Sequence, residues 1–396
     1  MTTITLPGTR YRIQSIDIVR GLIMLIMAID HTRDFFHAGS PSPTNLATTT
    51  PMLFFTRWIT HFCAALFVFL SGVSVNLAGT RRTKKQLSMF LIKRGLWLIG
   101  VEFVLLTFAI TLDPFYHILI FQVIWVMAVS MIVLGLLIWL PLTVIGTIGA
   151  LLFFGHDMLN YIALPAEGTS GFLWKFLFTA AALFQPVDKT HSLLVLYTIM
   201  PWMGVMFMGY VLGQVYKPGF DALKRRKTLL TCGIGLLALF VVLRTFNIYG
   251  EPVPWAVQKT FALSVISYFN VSKYPPSLMY LCMTIGPGLI MLGMIERTNN
   301  AFTRFLNVYG QVPFFYYVLH FYLLRVFNII LFFAQGYTTK DIFTPNSLML
   351  FRPVNYGVNL FGVYVVWLLV ILTLYLPCRW FSKYKQTHRQ WWLSYL

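Results

Sequence analysis

The chain has 396 residues, of which 58% are hydrophobic and only 11% are charged, and its formal net charge is +18. Soluble domains average about 25% charged residues, so this composition excludes a water-exposed globular surface and predicts one membrane-embedded domain. The positive excess would indicate nucleic-acid binding on a soluble protein, but here it is expected to mark cytoplasmic loops, and no nucleic-acid partner is predicted.

Apolar stretches long enough to cross a bilayer recur along the whole chain. Because a membrane-spanning helix needs about 20 predominantly apolar residues, the predicted fold class is an all-α, polytopic membrane helical bundle with about ten transmembrane helices. Residues 170–185 and 255–269 are shorter and are predicted to be interfacial or re-entrant helices. The predicted spans are residues 16–36, 58–79, 88–111, 115–139, 141–156, 194–216, 228–248, 275–295, 305–335 and 356–382.

Lys and Arg residues cluster in alternate connections between the predicted spans. All of the clusters then lie on one side of the membrane, which is expected to be cytoplasmic because short cytoplasmic loops collect Lys and Arg. Both termini are cytoplasmic in this arrangement, which consists of a cytoplasmic segment 1–15, a transmembrane domain 16–383 and a cytoplasmic tail 384–396. The clusters are Arg10 and Arg12; Arg81, Arg82, Lys84 and Lys85; Lys217, Lys224, Arg225, Arg226 and Lys227; Arg297 and Arg304; and Arg379, Lys383, Lys385 and Arg389.

The first predicted span carries more ionisable side chains than a membrane anchor needs. Charged residues within a membrane are costly, so they usually face the protein interior, pair with one another and serve a function. Two carboxylates and a histidine near the outer end of this span therefore indicate a functional site. The ionisable residues of the span and its outer end are Asp17, Arg20, Asp30, His31, Arg33, Asp34 and His37.

Helical geometry places several of these side chains on one stripe. Arg20 and His31 are eleven residues apart, which corresponds to about three turns and roughly 16 Å of rise. Asp17 can pair with Arg20, and Asp34 can contact the ring of His31, because residues three apart are neighbours on a helix. The stripe thus offers a cation for an anionic cytoplasmic ligand and an imidazole for proton transfer near the outer face. Alternatively, Asp17–Arg20 is an end cap and His31–Asp34 a structural polar pair.

Polar residues in two other segments are candidates for the same site. Arg57 and His61 open the second span at the level expected for His31, where they either bind substrate or anchor the helix at the interface. Lys273 and Tyr274 directly precede Pro275 and Pro276, which set an abrupt entry into the eighth span. The ammonium group of Lys273 either serves a substrate or is simply solvated.

The third and ninth spans also contain polar side chains. Gln311, Tyr316 and His320 lie in the ninth span. His320 is expected near the middle of the membrane, where it either lines the site cavity or forms a hydrogen bond to a neighbouring helix. Glu102 in the third span is expected to pair with Arg94.

The sequence offers no pattern typical of a metal or nucleotide-loop site. The four cysteines form no CxxC pair, and no HExxH, Walker-type or GxGxxG motif is present. We therefore predict no metal and no disulfide framework.

Five ordered segments carry a resemblance to a known family. Together they resemble bacterial membrane proteins related to the catalytic domain of heparan-α-glucosaminide N-acetyltransferase. The spacing of Arg20 and His31 is also similar to that in integral-membrane O-acyltransferases of surface polysaccharides. The segments are RIQSIDIVRG (12–21), DHTRDFFH (30–37), FFTRWITHFCA (54–64), KYPPSL (273–278) and GQVPFFYYVLH (310–320).

The resemblance implies an acyltransferase of the bacterial cytoplasmic (inner) membrane. Its donor would be cytoplasmic acyl-CoA, in the first place acetyl-CoA, and its acceptor a hydroxyl or amine of an extracytoplasmic glycan or another component of the cell envelope. The expected partners are the lipid bilayer and this acceptor, and the resemblance is compatible with a homodimer. The chain lacks the long N-terminal luminal domain of the heparan enzyme, so heparan itself is not the expected acceptor.

The resemblance suggests two histidines as the catalytic base. The spacing in the O-acyltransferases points to His31, whereas the pattern of the heparan enzyme points to His37. The base would be oriented by Asp34 or Asp30, and an acyl-histidine intermediate is an alternative to direct transfer. Arg57, His61 or Tyr316 could stabilise the oxyanion. The remaining candidates for substrate binding are Asp17, Arg20, Arg33, Lys273, Gln311 and His320.

A proton-coupled secondary transporter of a sugar or lipid-linked precursor is the alternative from another functional class. Intramembrane Asp, Arg and His residues suit a proton relay, and kinked helices suit alternating access. The chain shows no evident internal repeat, which favours the enzyme. A third hypothesis is a non-enzymatic membrane scaffold, which the charged residues expected within the membrane disfavour.

Overall fold

The computed structural model describes residues 13–162, 168–179, 183–296, 298–344, 347–388 and 390–395. Four residues of the predicted basic clusters, namely Arg10, Arg12, Arg297 and Arg389, lie outside these ranges, as does most of the predicted segment 1–15. The described chain is mostly helical. Its α-helices are α1 Gln14–Phe36, α2 Pro51–Gly79, α3 Lys84–Gly100, α4 Thr107–Thr111, α5 Val123–Leu137, α6 Leu142–Gly155, α7 Gly168–Trp174, α8 Ile199–Leu212, α9 Ala222–Phe246, α10 Phe261–Phe269, α11 Leu278–Ile295, α12 Ala301–Gln311, α13 Pro313–Ala334 and α14 Leu360–Thr387.

Several of these helices are long and apolar enough to cross a membrane. Within the described residues there are six: α2, α6 with its 3₁₀ extension to Tyr161, α9, α11, α13 and α14. Helix α1 has a comparable length of 23 residues but carries the charged stripe. The chain is therefore an integral membrane protein. The number of ten spans and the cytoplasmic placement of both termini stay predictions.

A small β-sheet corrects the all-α prediction. It consists of β1 Ile118–Phe121, β2 Leu183–Pro186 and β3 Ser192–Val195 in the order β1-β3-β2. Strand β1 pairs with β3 in parallel, and β2 pairs with β3 in an antiparallel arrangement. The sequence predicts helix in all three places: β1 and β3 lie at the starts of the predicted spans 115–139 and 194–216, and β2 lies at the end of the predicted helix 170–185. Their apolar, partly β-branched runs are extended because pairing between distant strands satisfies their backbone groups.

Three predicted helices also differ in their limits. The predicted span 305–335 is divided into α12 and α13 at Pro313, which lacks the N–H that a continuous helix would need and occupies the first turn of α13. The predicted span 88–111 contains a π-helical turn, Val101–Leu106, between α3 and α4. Of the predicted helix 255–269, only Phe261–Phe269, which is α10, is helical.

Helix α1 lies at the centre of the bundle and packs against α2, α12, α13 and α14. Its crossing with α12 is so close that a Cβ atom on Gly21 would overlap the carbonyl of Leu306, and one on Gly310 would overlap the carbonyl of Asp17. Only glycine permits this approach. The crossing fixes α1 beside the start of α13, which directly follows α12, and thereby positions the polar side chains at the C-terminal half of α1.

Candidate active site

A network of buried charges surrounds Asp30 on α1. One carboxylate oxygen forms an ion pair with Arg33, one turn later on the same helix, at 2.8 Å. The other oxygen accepts a hydrogen bond from Arg57 of α2 and lies 3.9 Å from Nζ of Lys273. All four side chains are buried. Removing charges from water is costly unless they are paired. By pairing with a cation on each of them, this carboxylate joins α1, α2 and the segment before α11.

A pair of histidines adjoins the charge network. Nδ1 of His31 lies 2.7 Å from Nε2 of His320 on α13, and Nδ1 of His320 lies 3.3 Å from the carbonyl oxygen of Tyr316. The ring of Phe321 stacks on His31 with centroids 4.4 Å apart. The prediction that Asp34 contacts His31 is wrong. The Asp34 side chain is 47% exposed and accepts a hydrogen bond from Arg33, because it lies on the outer rim of the helix.

His31 and Lys273 border a cavity of about 30 Å³, which is enough for a single water molecule. The residues that line it come from α1, α2, the start of α5 and α13, and from the segments that follow β3 and precede α11. Residues with ionisable, thiol, amide and phenol side chains therefore line one small space. The lining residues are Met27, Asp30, His31, Thr60, Cys63, Ala64, Phe67, Gln122, Val123, Tyr197, Lys273 and Tyr317.

The β-sheet positions two lining residues that sequence reasoning missed. Gln122 follows β1, and Tyr197 follows β3; because these strands run parallel, their C-terminal ends lie together. The backbone N–H of Tyr197 donates to the carbonyl of Phe121 at 3.3 Å. No local pattern near Gln122 or Tyr197 signals this role, since the pairing joins segments about 70 residues apart. Cys63, another lining residue, is one of the four cysteines of the sequence, and no motif there marks it as part of a site.

Glu102 supports Gln122 rather than pairing with Arg94. Its Oε1 accepts a hydrogen bond from the backbone N–H of Gln122 at 2.5 Å. The expected pair with Arg94 assumed regular helix geometry over eight residues. The π-helical turn begins at Val101 and changes the register at Glu102.

The segment that carries Lys273 is held by buried polar groups. Glu251 accepts hydrogen bonds from the backbone N–H of Ser272 at 3.0 Å and from the hydroxyl of Ser277 at 2.6 Å. Asp157 accepts one from the N–H of Leu278 at 2.7 Å. These contacts hold Lys273 in the interior, where only 8% of it is exposed, so the alternative of a solvated lysine is wrong.

Two further candidates lie behind the site. Nδ1 of His61 donates to the carbonyl of Arg57 at 2.8 Å, and its ring faces Tyr280 at 5.6 Å. The Tyr316 ring stacks on His320 with centroids 5.5 Å apart. Neither His61 nor Tyr316 lines the cavity. Both therefore contact groups of the site rather than the cavity itself.

The remaining candidates lie at the two ends of α1. Near its N-terminus Arg20 pairs with Asp17 at 3.7 Å, as predicted, donates to the carbonyl of Leu70 at 2.9 Å and bonds Ser74. Gln311 accepts hydrogen bonds from Ser382 and Gln386.

At the other end of α1, His37 terminates the helix. Its carbonyl accepts a hydrogen bond from Arg352 at 3.2 Å, and it forms a bridge to Val358. The structure does not bring His37, Arg20 or Gln311 to the cavity.

The fold and site define an integral membrane protein with a buried, charged internal site. The family model of the heparan-alpha-glucosaminide N-acetyltransferase catalytic domain matches residues 12–246, which is more than half of the chain. The chain belongs to this family, and its membership implies acetyltransferase activity with acetyl-CoA as the donor. No curated protein matches the chain. Within the described ranges, no group of three or more His, Cys, Asp or Glu side chains could hold a metal ion.

Proposed function

We propose that the protein transfers an acetyl group from cytoplasmic acetyl-CoA to a hydroxyl or amine of a glycan or another cell-envelope acceptor on the opposite side of the membrane. The observation that supports this most directly is the cavity bordered by both His31 and Lys273 in a chain of the acetyltransferase family. The asymmetric basic clusters support a cytoplasmic donor side and an inner-membrane location.

His31 is the base in this proposal. As the acceptor oxygen or nitrogen attacks the thioester carbonyl carbon, its proton passes to His31. The carbon–sulfur bond then breaks, and the departing thiolate takes the proton, so that free CoA and the acetylated acceptor leave with His31 restored. A positioned general base of this kind contributes about 100- to 10,000-fold to the rate.

Lys273 is proposed to stabilise the oxyanion that forms on the thioester carbonyl. Lys273 borders the same cavity as His31, and the 3.9 Å between its Nζ and the Asp30 carboxylate is too long for a strong hydrogen bond. A cation fixed in a low-dielectric site stabilises developing negative charge far better than one in water. Arg57 and Arg33, by contrast, are both engaged by Asp30 and hold the network in place.

The donor is proposed to extend along α1. Arg20 lies at the N-terminal end, roughly 16 Å of helix rise from His31, with Met24 and Ala28 between them. Arg94 lies within electrostatic reach of both Arg20 and Arg82. This cationic end suits the phosphates of CoA, and the apolar stretch suits its pantetheine arm.

His31 is favoured over His37 because of its position. His31 borders the cavity, whereas His37 lies beyond it at the end of α1 and is fixed there through its backbone. Asp30 contributes through its ion pairs around the cavity. Asp34 is proposed only to modulate Arg33 at the rim.

Transfer by purified protein in lipid nanodiscs tests this function. The assay follows radiolabelled acetyl from acetyl-CoA into a glucosamine oligosaccharide and, separately, into a hydroxyl-bearing envelope polysaccharide, together with release of free CoA. We expect transfer to fall by at least about 100-fold in His31→Ala and to persist in the control His191→Ala, whose side chain is exposed and contacts Asp188. Equal transfer by His31→Ala would remove His31 from the mechanism. Passage of a sugar into proteoliposomes without CoA release would support the transporter.

A further inference from the structure

We propose that His320 is a positioning residue for this acetyl transfer: it accepts a hydrogen bond from Nδ1–H of His31 and so leaves Nε2 of His31 free to take the acceptor's proton. This inference rests on the proposed function for its catalytic meaning. The hydrogen-bond arrangement itself rests on the geometry of the two rings and can be tested without any substrate.

The direction of the hydrogen bonds follows from the groups at each end. The carbonyl oxygen of Tyr316 can only accept, so the nitrogen facing it, Nδ1 of His320, carries the proton. In a neutral ring, Nε2 of His320 is then an acceptor. The nitrogen 2.7 Å from it, Nδ1 of His31, must donate. The second nitrogen of His31, Nε2, is left with its lone pair.

The surroundings of His320 favour the neutral ring. Its side chain is fully buried, and none of the ion pairs found among the described residues includes it. An imidazolium at this position would be a buried cation facing a second imidazole, which is costly without a carboxylate partner. His320 is therefore suited to accept a hydrogen bond from His31 and unsuited to hold a proton.

Aromatic rings fix the orientation of both imidazoles. Tyr316 stacks on His320 with an interplanar angle of 11°, and Phe321 stacks on His31 with an angle of 25°. Tyr317 meets His31 edge-on, with centroids 6.2 Å apart. His31 borders the cavity and His320 does not. The nitrogen of His31 that remains unprotonated is thus the one on the side away from His320.

During transfer His320 keeps the same role. When Nε2 of His31 accepts the acceptor's proton, the imidazolium still donates from Nδ1 to His320. The proton on Nε2 then leaves with the CoA thiolate, and no proton needs to pass onto His320. At metal sites, a group that orients a histidine through its second ring nitrogen contributes about 10- to 100-fold to metal affinity or activity, and we expect a contribution of similar size from His320.

Two substitutions at position 320 separate orientation from proton relay. The amide oxygen of His320→Gln can accept a hydrogen bond near the position of Nε2, but it cannot relay a proton, whereas His320→Phe removes the acceptor. We expect kcat to fall by about 10- to 100-fold in His320→Phe, with the KM for acetyl-CoA unchanged, and to stay within a fewfold of wild type in His320→Gln. The control is Tyr322→Phe on the same helix, which loses only a contact to Leu105 outside the site. Wild-type kcat in His320→Phe, or equal loss in both variants, would overturn the proposal.

The tautomer of His31 provides a readout that does not depend on activity. Nitrogen-15 NMR of histidine-labelled protein, with the His31 signal assigned by its loss in His31→Asn, should show the Nδ1–H form in wild type and His320→Gln. His320→Phe should give a mixture of both tautomers. A wild-type His31 protonated on Nε2 would overturn the inference even if acetyl transfer occurs. The absence of transfer to any acceptor, with the Nδ1–H form observed, would instead refute the proposed function alone.

Discussion

Residues 12–246, which the family model covers, and the residues that follow them contribute different groups to the site around one cavity. The matched region supplies His31 and Asp30 from α1 together with Arg57 from α2. The following region supplies Lys273 to the cavity wall, and it supplies His320, which forms a hydrogen bond with the ring of His31. The matched region thus carries the proposed base and the carboxylate beside it. The following region carries the cation proposed to stabilise the oxyanion, and the histidine that forms a hydrogen bond with the base.

This division indicates that the site forms only when the two regions pack together. Helix α1 contacts α12, α13 and α14 of the following region as well as α2 of the matched region. Asp30 is the electrostatic link, since it binds Arg57 from one region and lies near Lys273 from the other. Substitutions on either side of this link should therefore have distinct consequences.

Removing the carboxylate of Asp30 should have the largest effect, because it breaks the link itself. In Asp30→Asn, three buried cations lose their shared anion, and breaking a buried ion pair typically costs about 3–5 kcal/mol. We expect a comparable loss in the free energy of unfolding, measured by denaturant or thermal unfolding in detergent. The control Asp34→Asn alters an exposed carboxylate and should cost less than about 1 kcal/mol. Equal stability of the two variants would show that the two regions are not joined through Asp30.

Substituting Lys273 should reduce catalysis more than stability. Lys273→Met keeps the unbranched stem of the side chain and removes the ammonium group, while Asp30 retains Arg33 and Arg57. We expect kcat for acetyl transfer to fall by about 100-fold or more, as when an oxyanion-stabilising donor is removed. Lys259→Met, at an exposed position just before α10, serves as the control. A large loss of folding stability with normal kcat in the folded fraction would assign Lys273 a structural role.

Glu251 connects the stability of the Lys273 segment to pH. Burial raises the pKa of Glu251 to about 7, although its hydrogen bonds to Ser277 and Ser272 act in the opposite direction. A carboxyl whose pKa is higher in the folded state stabilises the fold below its unfolded value of about 4.3, and this contribution is lost as the pH rises through about 7. The backbone amides of residues 272–274, 277 and 278 should therefore exchange hydrogen more slowly at pH 5 than at pH 8, after correction for intrinsic exchange.

The variant Glu251→Gln provides the matched comparison. The amide oxygen can still accept from Ser272 and Ser277, but it does not titrate in this range. The difference in corrected protection between the two pH values should become smaller in this variant. An unchanged difference would mean that another group controls the segment.

The sequence predicted one ion pair within helix α1 and the approach of α2 to the outer half of that helix. The Asp17–Arg20 pair follows from helical spacing, and the placement of Arg57 near the level of His31 followed from its position at the start of a span. Contacts between distant segments were not predictable in this way. The β1–β3 pairing that brings Gln122 and Tyr197 to the cavity depends on two short apolar runs that resemble the starts of transmembrane helices.

The remaining differences also have local physical causes. Pro313 in the GQVPFF segment marks the break between α12 and α13, and this signal was present in the sequence. Lys273 gave no local sign of burial, because its exclusion from water depends on Glu251 and Asp157, which come from other connections. The assignment of Asp34 to His31 was wrong because spacing alone does not distinguish His31 from the neighbouring Arg33 as a partner.

The smallest effect is expected at His37, which lies in the matched region but outside the cavity. Its contacts with Arg352 and Val358 are made by backbone atoms, which His37→Ala retains. We therefore expect kcat for acetyl transfer to change by less than about twofold, as for a substitution away from the reacting groups. The same assay on His31→Ala gives the reference for complete loss of the base. If His37→Ala were instead as inactive as His31→Ala, the end of α1 would have to approach the thioester during turnover, and the cavity around His31 would no longer define where transfer occurs.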